Sequence, residues 1–190
     1  MNLQEKFTAA DTRLLKKFQR RVCKKKYDKA MIAITKSGNV GIVWIGVAGL
    51  LFLTKKHRRR GFILGTTVGM AGALNNFIFK NISKRPRPCD VDKETPVLIS
   101  RPFGDSFPSG HALSSFTAAT LLTRYNKGYA LGALPLAVLI SLSRMYLNVH
   151  YPSDVIGGAA IGIAIGTAVD TADKKLQALN SSDNRAPQRS

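Results

Sequence analysis

Long stretches without charge alternate along this chain with short, strongly basic clusters. A membrane-spanning helix needs about 20 mostly apolar residues, and about 17 suffice. Two uncharged stretches meet this length, and three shorter ones could also be buried helices of a soluble protein. Together, with short links between them, they predict an all-α integral membrane bundle of about five transmembrane helices. The five stretches are residues 37–54, 61–79, 109–123, 129–143 and 155–169.

Small residues recur at intervals of four in two of these stretches. One row consists of Gly65, Gly69 and Ala73, and the other of Gly158, Gly162 and Gly166. Such rows let helix backbones approach closely in a bilayer, where no water drives packing. Although Gly is common in membrane helices generally, the repeated spacing predicts close packing along both rows.

The charge balance narrows the class of partner. Lys and Arg total 29 against 11 Asp and Glu, a formal net charge of +18. Nucleic-acid binding needs a basic groove with aromatic stacking platforms or a recognisable reading module, and the sequence has neither. We therefore predict no nucleic-acid partner. The two cysteines, Cys23 and Cys89, cannot form a disulfide framework, and no Cys/His cluster has the spacing of zinc ligands.

The ends of the chain differ from its middle. Residues 1–36 lack the apolar core of a secretory signal peptide. Four of their apolar residues fall near one helix face, with basic residues elsewhere, which predicts an amphipathic helix lying on anionic lipid. We expect residues 37–172 to form the membrane domain and residues 173–190 to be a polar, disordered tail. The four apolar residues are Phe7, Leu14, Phe18 and Val22.

Basic loops favour one orientation in the membrane. Residues 55–60 (KKHRRR) form a short basic loop, which the positive-inside rule places in the cytoplasm. The loop at residues 80–108 then faces outward. The basic N-terminal segment would also lie outside, against the same rule, but the rule is most reliable for short loops.

A first candidate site begins the third stretch. Pro108 precedes Ser109, a good helix N-cap, and an apolar helical run follows. The first-turn amides of such a helix, with its dipole, form an anion site. Gly110 leaves room for a ligand near the backbone, and His111 would lie beside a bound anion. Alone, the segment also fits an ordinary capped helix with a surface histidine.

A second candidate site joins the fourth and fifth stretches. Arg144, at the end of an apolar span, is costly unless it is paired, binds an anion or extends to the interface. His150 lies just before the fifth helix, and Asp154 falls in that helix's first turn. A carboxylate near one imidazole nitrogen fixes the tautomer and leaves the other nitrogen as a nucleophile or base. An interfacial histidine and a helix-start aspartate are the plainer interpretation.

Lys80 and Arg87 lie at and just after the end of the second stretch. The ammonium of Lys80 and the planar guanidinium of Arg87 together are suited to binding phosphate. An ordinary basic cluster beside a membrane is the simpler interpretation. In the predicted topology all three segments meet at one membrane face. The sequence therefore predicts a phosphate site with a nucleophile and a proton donor.

These residues resemble the type 2 phosphatidic-acid phosphatase superfamily, also called lipid phosphate phosphatases. The family pattern K-x6-R-P, P-S-G-H and S-R-x5-H-x3-D matches this chain at every position and in order. It reads here as Lys80…Arg87-Pro88, Pro108-Ser109-Gly110-His111 and Ser143-Arg144…His150…Asp154. The N-terminus departs from the family, because residues 1–36 are too charged to supply a first spanning helix.

The resemblance implies a mechanism without a metal or cofactor. His150 would attack phosphorus and form a phosphohistidine, oriented by Asp154. His111 would protonate the leaving oxygen and then activate water. The remaining cations and the amides near Ser109 and Gly110 would hold the charged oxygens. The acidic residues of the loop, Asp90, Asp92, Glu94 and Asp105, lack ligand spacing and read as solvated.

The resemblance also suggests a substrate and a location. Undecaprenyl diphosphate, hydrolysed at the outer face of the cell membrane by a multi-pass protein, is the leading candidate. Phosphatidic acid, phosphatidylglycerol phosphate and a prenyl-sugar phosphate are alternatives, because the motifs contact only the phosphate. A non-catalytic membrane protein that binds anionic lipid is a different class, and the oligomeric state stays open.

Overall fold

The computed structural model describes residues 3–79 and 83–183, which contain no strand. The structure is 81% helical, so the predicted all-α bundle is confirmed. Its α-helices are α1 (Leu3–Val22), α2 (Asp28–Ser37), α3 (Ile42–Leu53), α4 (Arg58–Leu74), the single-turn α5 (Pro88–Val91), α6 (Gly110–Tyr125), α7 (Ala130–Tyr146) and α8 (Pro152–Asp183). A π-helical turn, Asn75–Phe79, continues α4.

Helix α6 forms the centre of the bundle, packed against α8, α7 and α4. Its sequence is rich in small and apolar residues on every side, and Leu113, Ala118 and Leu121 are fully buried. Since α6 has only 16 residues, the surrounding helices rather than its own length explain its burial.

The N-terminal segment is two helices rather than one. The 3-10 turn Lys25–Tyr27 separates α1 from α2, and α2 packs on α7. The buried apolar residue that the structure describes on α1 is Leu15, whereas Leu14, which we placed on the apolar face, is 57% exposed. Phe18 and Val22 are partly buried against the core, as the amphipathic pattern requires. Whether α1 lies on lipid stays a prediction.

Only one of the two glycine rows packs closely. A Cβ at Gly158, Gly162 or Gly166 would come within 2.9 Å of backbone carbonyl oxygens of the α6 segment, so α8 touches α6 as predicted. On α4 the prediction is wrong at Gly69, where a Cβ would meet nothing within 4 Å, whereas a Cβ at Gly65 would make ordinary contact with Ala48 of α3 at 3.4 Å. Gly61, outside the row, makes the close contact with α3 instead, and Gly69 faces a cavity.

By length and composition, two helices of the described residues could cross a membrane: Lys127–Tyr146 and Pro152–Ser182. A third span is possible if Lys25–Ser37 and Asn39–Leu53, bent by 53° relative to each other, count as one. The five predicted stretches are thus helical, but their number of crossings stays a prediction. The first stretch begins at this bend, because Val40 and Gly41 have positive φ.

The expected disordered tail is helical over most of its length. Helix α8 continues through residues 173–183, where ion pairs of Asp170 with Lys174 and of Asp173 with Arg59 stabilise it. Polar composition alone misled the prediction there, because side-chain pairs on a helix can replace an apolar face. The remaining tail, residues 184–190, lies outside the described residues.

Candidate active site

A cavity of about 250 Å³ lies where α4 ends, α6 begins and α7 ends. The connection from α7 to α8 and the loop after residue 83 close it from the side. The predicted sequence segments therefore do converge at one end of the bundle. Among the residues lining the cavity are Arg87, Gly110, His111, Arg144 and His150.

His150 lies in the tight connection between α7 and α8 and is 3% exposed. Its Nε2 atom is 3.2 Å from Arg87 Nη1, a guanidinium nitrogen that can only donate. Nε2 therefore accepts, and the ring proton is on Nδ1, which faces Asp154 Oδ2 at 3.5 Å. That distance is long for a hydrogen bond, so the carboxylate orients the ring mainly through its charge.

Burial lowers the pKa of His150 from its ordinary value of 6.5 to about 4. The charges of the nearby Arg144 and Arg87 guanidiniums contribute to this lowered pKa, whereas the carboxylate of Asp154 opposes it. The imidazole is therefore neutral at pH 7, which a nucleophile requires.

Asp154 is fully buried and is held by three donors. Its Oδ2 accepts from Ser106 Oγ at 2.5 Å and from the Tyr151 amide at 2.8 Å. Its Oδ1 accepts from Arg85 Nη1 at 2.6 Å. These contacts keep the carboxylate ionised and fix its direction.

Two buried guanidiniums flank His150. Arg87 is 1% exposed and donates to the carbonyl oxygens of Phe103, Gly104, Asp105 and Val149. Arg144 is 3% exposed; its Nη1 donates to Thr35 Oγ1 at 2.5 Å, and its Nε has no hydrogen-bond partner among the described residues. Within those residues neither guanidinium forms a salt bridge. Two buried cations without carboxylate partners favour an anionic ligand.

His111 lies in the first turn of α6 and is half-buried. Its Nε2 is 3.1 Å from the carbonyl oxygen of Thr35 and 3.0 Å from Asn39 Oδ1. Both atoms are acceptors, so Nε2 carries a proton. The bend between α2 and α3 thus holds this ring against the cavity.

Ser109 occupies the N-cap position of α6, but its hydroxyl makes no capping hydrogen bond. That hydroxyl is buried without a partner among the described residues. Its amide donates to the Asp154 carbonyl oxygen at 3.0 Å, so amide donors to a ligand would come from the first turn that follows, at Gly110, His111 and Ala112. A Cβ at Gly110 would lie 2.8 Å from Asn75 Nδ2, so a larger residue there would displace the Asn75 side chain.

A family model described as the PAP2 superfamily matches residues 60–176, more than half of the chain. The chain belongs to the PAP2 superfamily. This confirms the resemblance drawn from the motifs.

The PAP2 relatives include several phosphatases. The chain is 37% identical over 134 residues to undecaprenyl-diphosphatase of Sulfolobus acidocaldarius, covering 70% of this chain and 64% of that protein. It is 36% identical over 138 residues to decaprenylphosphoryl-5-phosphoribose phosphatase of Mycobacterium tuberculosis, covering 68% and 71%. Its structure is similar to that of a PAP2-type phosphatidylglycerolphosphate phosphatase from Bacillus subtilis, with a TM-score of 0.73 and 25% identity, covering 89% and 87%.

One PAP2 motif residue, Lys80, lies outside the described residues. The other seven site residues predicted from the sequence lie at the cavity or in direct contact with a residue that lines it. Among the described residues, no group of three or more His, Cys, Asp or Glu side chains could hold a metal ion.

Several residues at the PAP2 site were not found from the sequence, among them Thr35, Ser106 and Asn75. Thr35 links Arg144 to His111, Ser106 donates to Asp154, and Asn75 lines the cavity beneath Gly110. The pair Asn75 and Asn76, polar in a largely apolar stretch, is a signal that could have pointed to the cavity. Thr35 and Ser106 belong to segments without a motif, and only the tertiary fold brings them to the cavity.

Proposed function

We propose that this protein is a membrane phosphatase that hydrolyses a lipid phosphate or diphosphate through a phosphohistidine at His150. The observation that carries the proposal is the pair of buried guanidiniums, Arg87 and Arg144, beside a neutral and oriented imidazole. Two cations of this kind neutralise phosphoryl oxygens, and the imidazole supplies the nucleophile.

In the first step the phosphoryl group binds between Arg144, Arg87 and the N-terminus of α6. Nε2 of His150 attacks phosphorus, and the bond from phosphorus to the lipid or phosphate oxygen breaks. His111 keeps its Nε2 proton on Thr35 and Asn39 and gives a proton from its other ring nitrogen, Nδ1, to that leaving oxygen. The Nδ1 proton of His150 stays beside Asp154, whose carboxylate stabilises the positive charge on the ring.

In the second step water attacks the phosphohistidine. His111 accepts a proton from the water, a phosphorus–oxygen bond forms, and the nitrogen–phosphorus bond breaks. Inorganic phosphate leaves, and both histidines regain their starting protonation. No step needs a metal ion, so turnover should continue in excess chelator; its abolition there would contradict this mechanism.

Undecaprenyl diphosphate is the substrate we favour, because the similarity to an undecaprenyl-diphosphatase extends over most of the chain. Other relatives are named for a prenyl phosphoribose and for a phosphatidylglycerol phosphate. Purified protein assayed against matched lipid monophosphates and diphosphates tests both the phosphatase activity and the preferred substrate. Preference for the prenyl diphosphate supports the favoured substrate, and no hydrolysis of any of them would refute the phosphatase proposal.

We further propose a multi-pass arrangement with the site at the outer face. Helix α4 begins in the basic cluster at residues 55–60 and ends at the cavity, so these two features lie at opposite ends of one helix. Cys89 is fully buried and cannot report the side. A Lys93→Cys variant in a Cys23→Ala background places a thiol on the exposed loop. Labelling by an impermeant maleimide in intact cells is expected, and labelling only after permeabilisation would reverse the orientation.

A further inference from the structure

Helix α1 reaches the site through a buried carboxylate that none of the family motifs contains. Asp11 is 4% exposed, although it lies on the most basic helix of the chain. Its Oδ1 accepts from the Ser153 amide at 3.2 Å, and its Oδ2 accepts from the Ser153 hydroxyl and from Arg85 Nη2, the latter at 2.6 Å. Asp11 therefore joins α1 to the start of α8.

Arg85 lies between Asp11 and Asp154. While Nη2 contacts Asp11, Nη1 donates to Asp154 Oδ1 at 2.6 Å and to Ser153 Oγ at 2.7 Å. The guanidinium also lies over the Tyr151 ring, 4.2 Å from its centroid. The planar guanidinium of Arg85 is held at both Nη atoms and on one face, so it has a single orientation. It therefore fixes the orientation of the Asp154 carboxylate.

The charge arrangement explains why both partners are needed. Asp154 presents Oδ1 to Arg85 and Oδ2 to His150. Without Arg85, two buried carboxylates would share one region without a cation, which is costly. Without Asp11, the guanidinium keeps Asp154 but loses the contact that fixes its other end.

We propose that Asp11 and Arg85 are positioning residues that hold Asp154, and through it His150, so that α1 completes the active site. This inference rests on the proposed function. Neither residue touches the phosphoryl group, so their loss acts on the rate of phosphoryl transfer and leaves substrate binding to Arg87 and Arg144.

The test compares two Asp→Asn variants that both weaken a contact of α1. Asp11→Asn removes the charge facing Arg85. Asp92→Asn weakens the pair with Lys16, 3.4 Å apart, which also ties α1 to the loop but does not contact Asp154. We expect kcat to fall about tenfold in Asp11→Asn, with KM unchanged, since small misplacements of reacting groups cost this much. Asp92→Asn should keep the wild-type kcat. Equal losses of kcat in both variants would show that only the docking of α1 matters and would overturn the positioning role of Asp11.

Arg85 supplies the second arm of the test. Arg85→Gln should lower kcat about a hundredfold, and Arg85→Lys should restore part of it, because the charge returns without the fork. His150 is faced by Arg87 from the loop, Arg144 from α7 and Asp154 from α8. Removing a cation beside Asp154 favours protonated His150, so the acid limb of kcat should move to higher pH in Arg85→Gln. An unmoved limb with normal kcat refutes the proposal.

The outcomes separate the two proposals. If the wild-type protein hydrolyses no lipid phosphate, the proposed function fails. If the wild type is active and Asp11→Asn and Arg85→Lys match it in kcat, only the positioning role fails. Should Arg85→Gln not fold, Asp11→Asn and Arg85→Lys still decide, because each keeps a cation beside Asp154.

Discussion

The two histidines of the cavity are held in opposite ways. His150 is buried between a guanidinium and a carboxylate, each of which faces one ring nitrogen. His111 is half-buried, and its Nε2 contacts a backbone carbonyl and an amide oxygen from the α2–α3 bend. A nucleophile requires one tautomer and one direction. A group that transfers protons to a leaving oxygen and from water requires access to both. The contrast supports the proposed division of roles, with His150 as nucleophile and His111 as proton donor and acceptor.

The largest expected effect comes from removing His150, the buried histidine that lies between Arg87 and Asp154. His150→Ala should lower kcat by about 10⁴-fold or more, because the covalent route is lost. Hydrolysis of a lipid phosphate in detergent measures it, and membrane association should persist. His57→Ala makes the same change at a histidine outside the cavity and should keep full activity. Retained turnover in His150→Ala would refute the nucleophile assignment.

The second histidine should show a different pattern of loss. His111→Ala should lower kcat for a lipid phosphate by about 10²–10⁴-fold, the usual range for general acid–base catalysis. An aryl phosphate needs no proton on its leaving group, so its first step should survive and phosphoenzyme should accumulate. Rapid quenching with radiolabelled substrate measures this. Absence of labelled enzyme in His111→Ala, with labelling in the wild type, would contradict the division of roles.

The protonation of His150 should distinguish it from an exposed histidine. The protein has three histidines, so a His57→Gln, His111→Gln variant carries His150 alone. Because burial lowers its pKa to about 4, the ring stays neutral as pH falls through 6.5 and gains its proton only near pH 4. Titration of the imidazole Cε1 proton by NMR measures this. A midpoint at or above 6.5 would show that burial does not control the ring.

The smallest effect should come from Thr35, which links the two halves of the site. Thr35→Val keeps the backbone carbonyl that contacts His111 and removes the hydroxyl that accepts from Arg144. Loss of a hydrogen bond to a charged group costs about 1.5–3 kcal/mol. We expect KM for the phosphorylated substrate to rise about tenfold or more, with Thr35→Ser close to wild type. A fall in kcat with KM unchanged would place the effect on His111 instead.

The contrast between the glycine rows shows how far a pattern can be carried. Equal spacing predicted close packing for both, yet only the α8 row meets a neighbouring backbone. A row of small residues shows that a helix face allows close approach, but it does not show which element packs against that face. On α8 the packing partner is α6, whereas Gly69 on α4 faces the cavity. The same limit explains why Leu14 is exposed and Leu15 buried, since helical periodicity alone does not fix the packing angle of α1.

The sequence by itself determined the helical bundle, the family and the set of candidate site residues, because apolar length and motif spacing are local properties of the chain. Only the tertiary structure decided which groups hold them: Thr35, Ser106 and the pair Asp11 and Arg85 come from segments far apart in the chain. Their contacts form where the ends of helices come together. The periodicity of the sequence does not predict which distant helix ends will do so. The burial that keeps His150 neutral is likewise a property of the assembled bundle, since desolvation depends on every element around the ring.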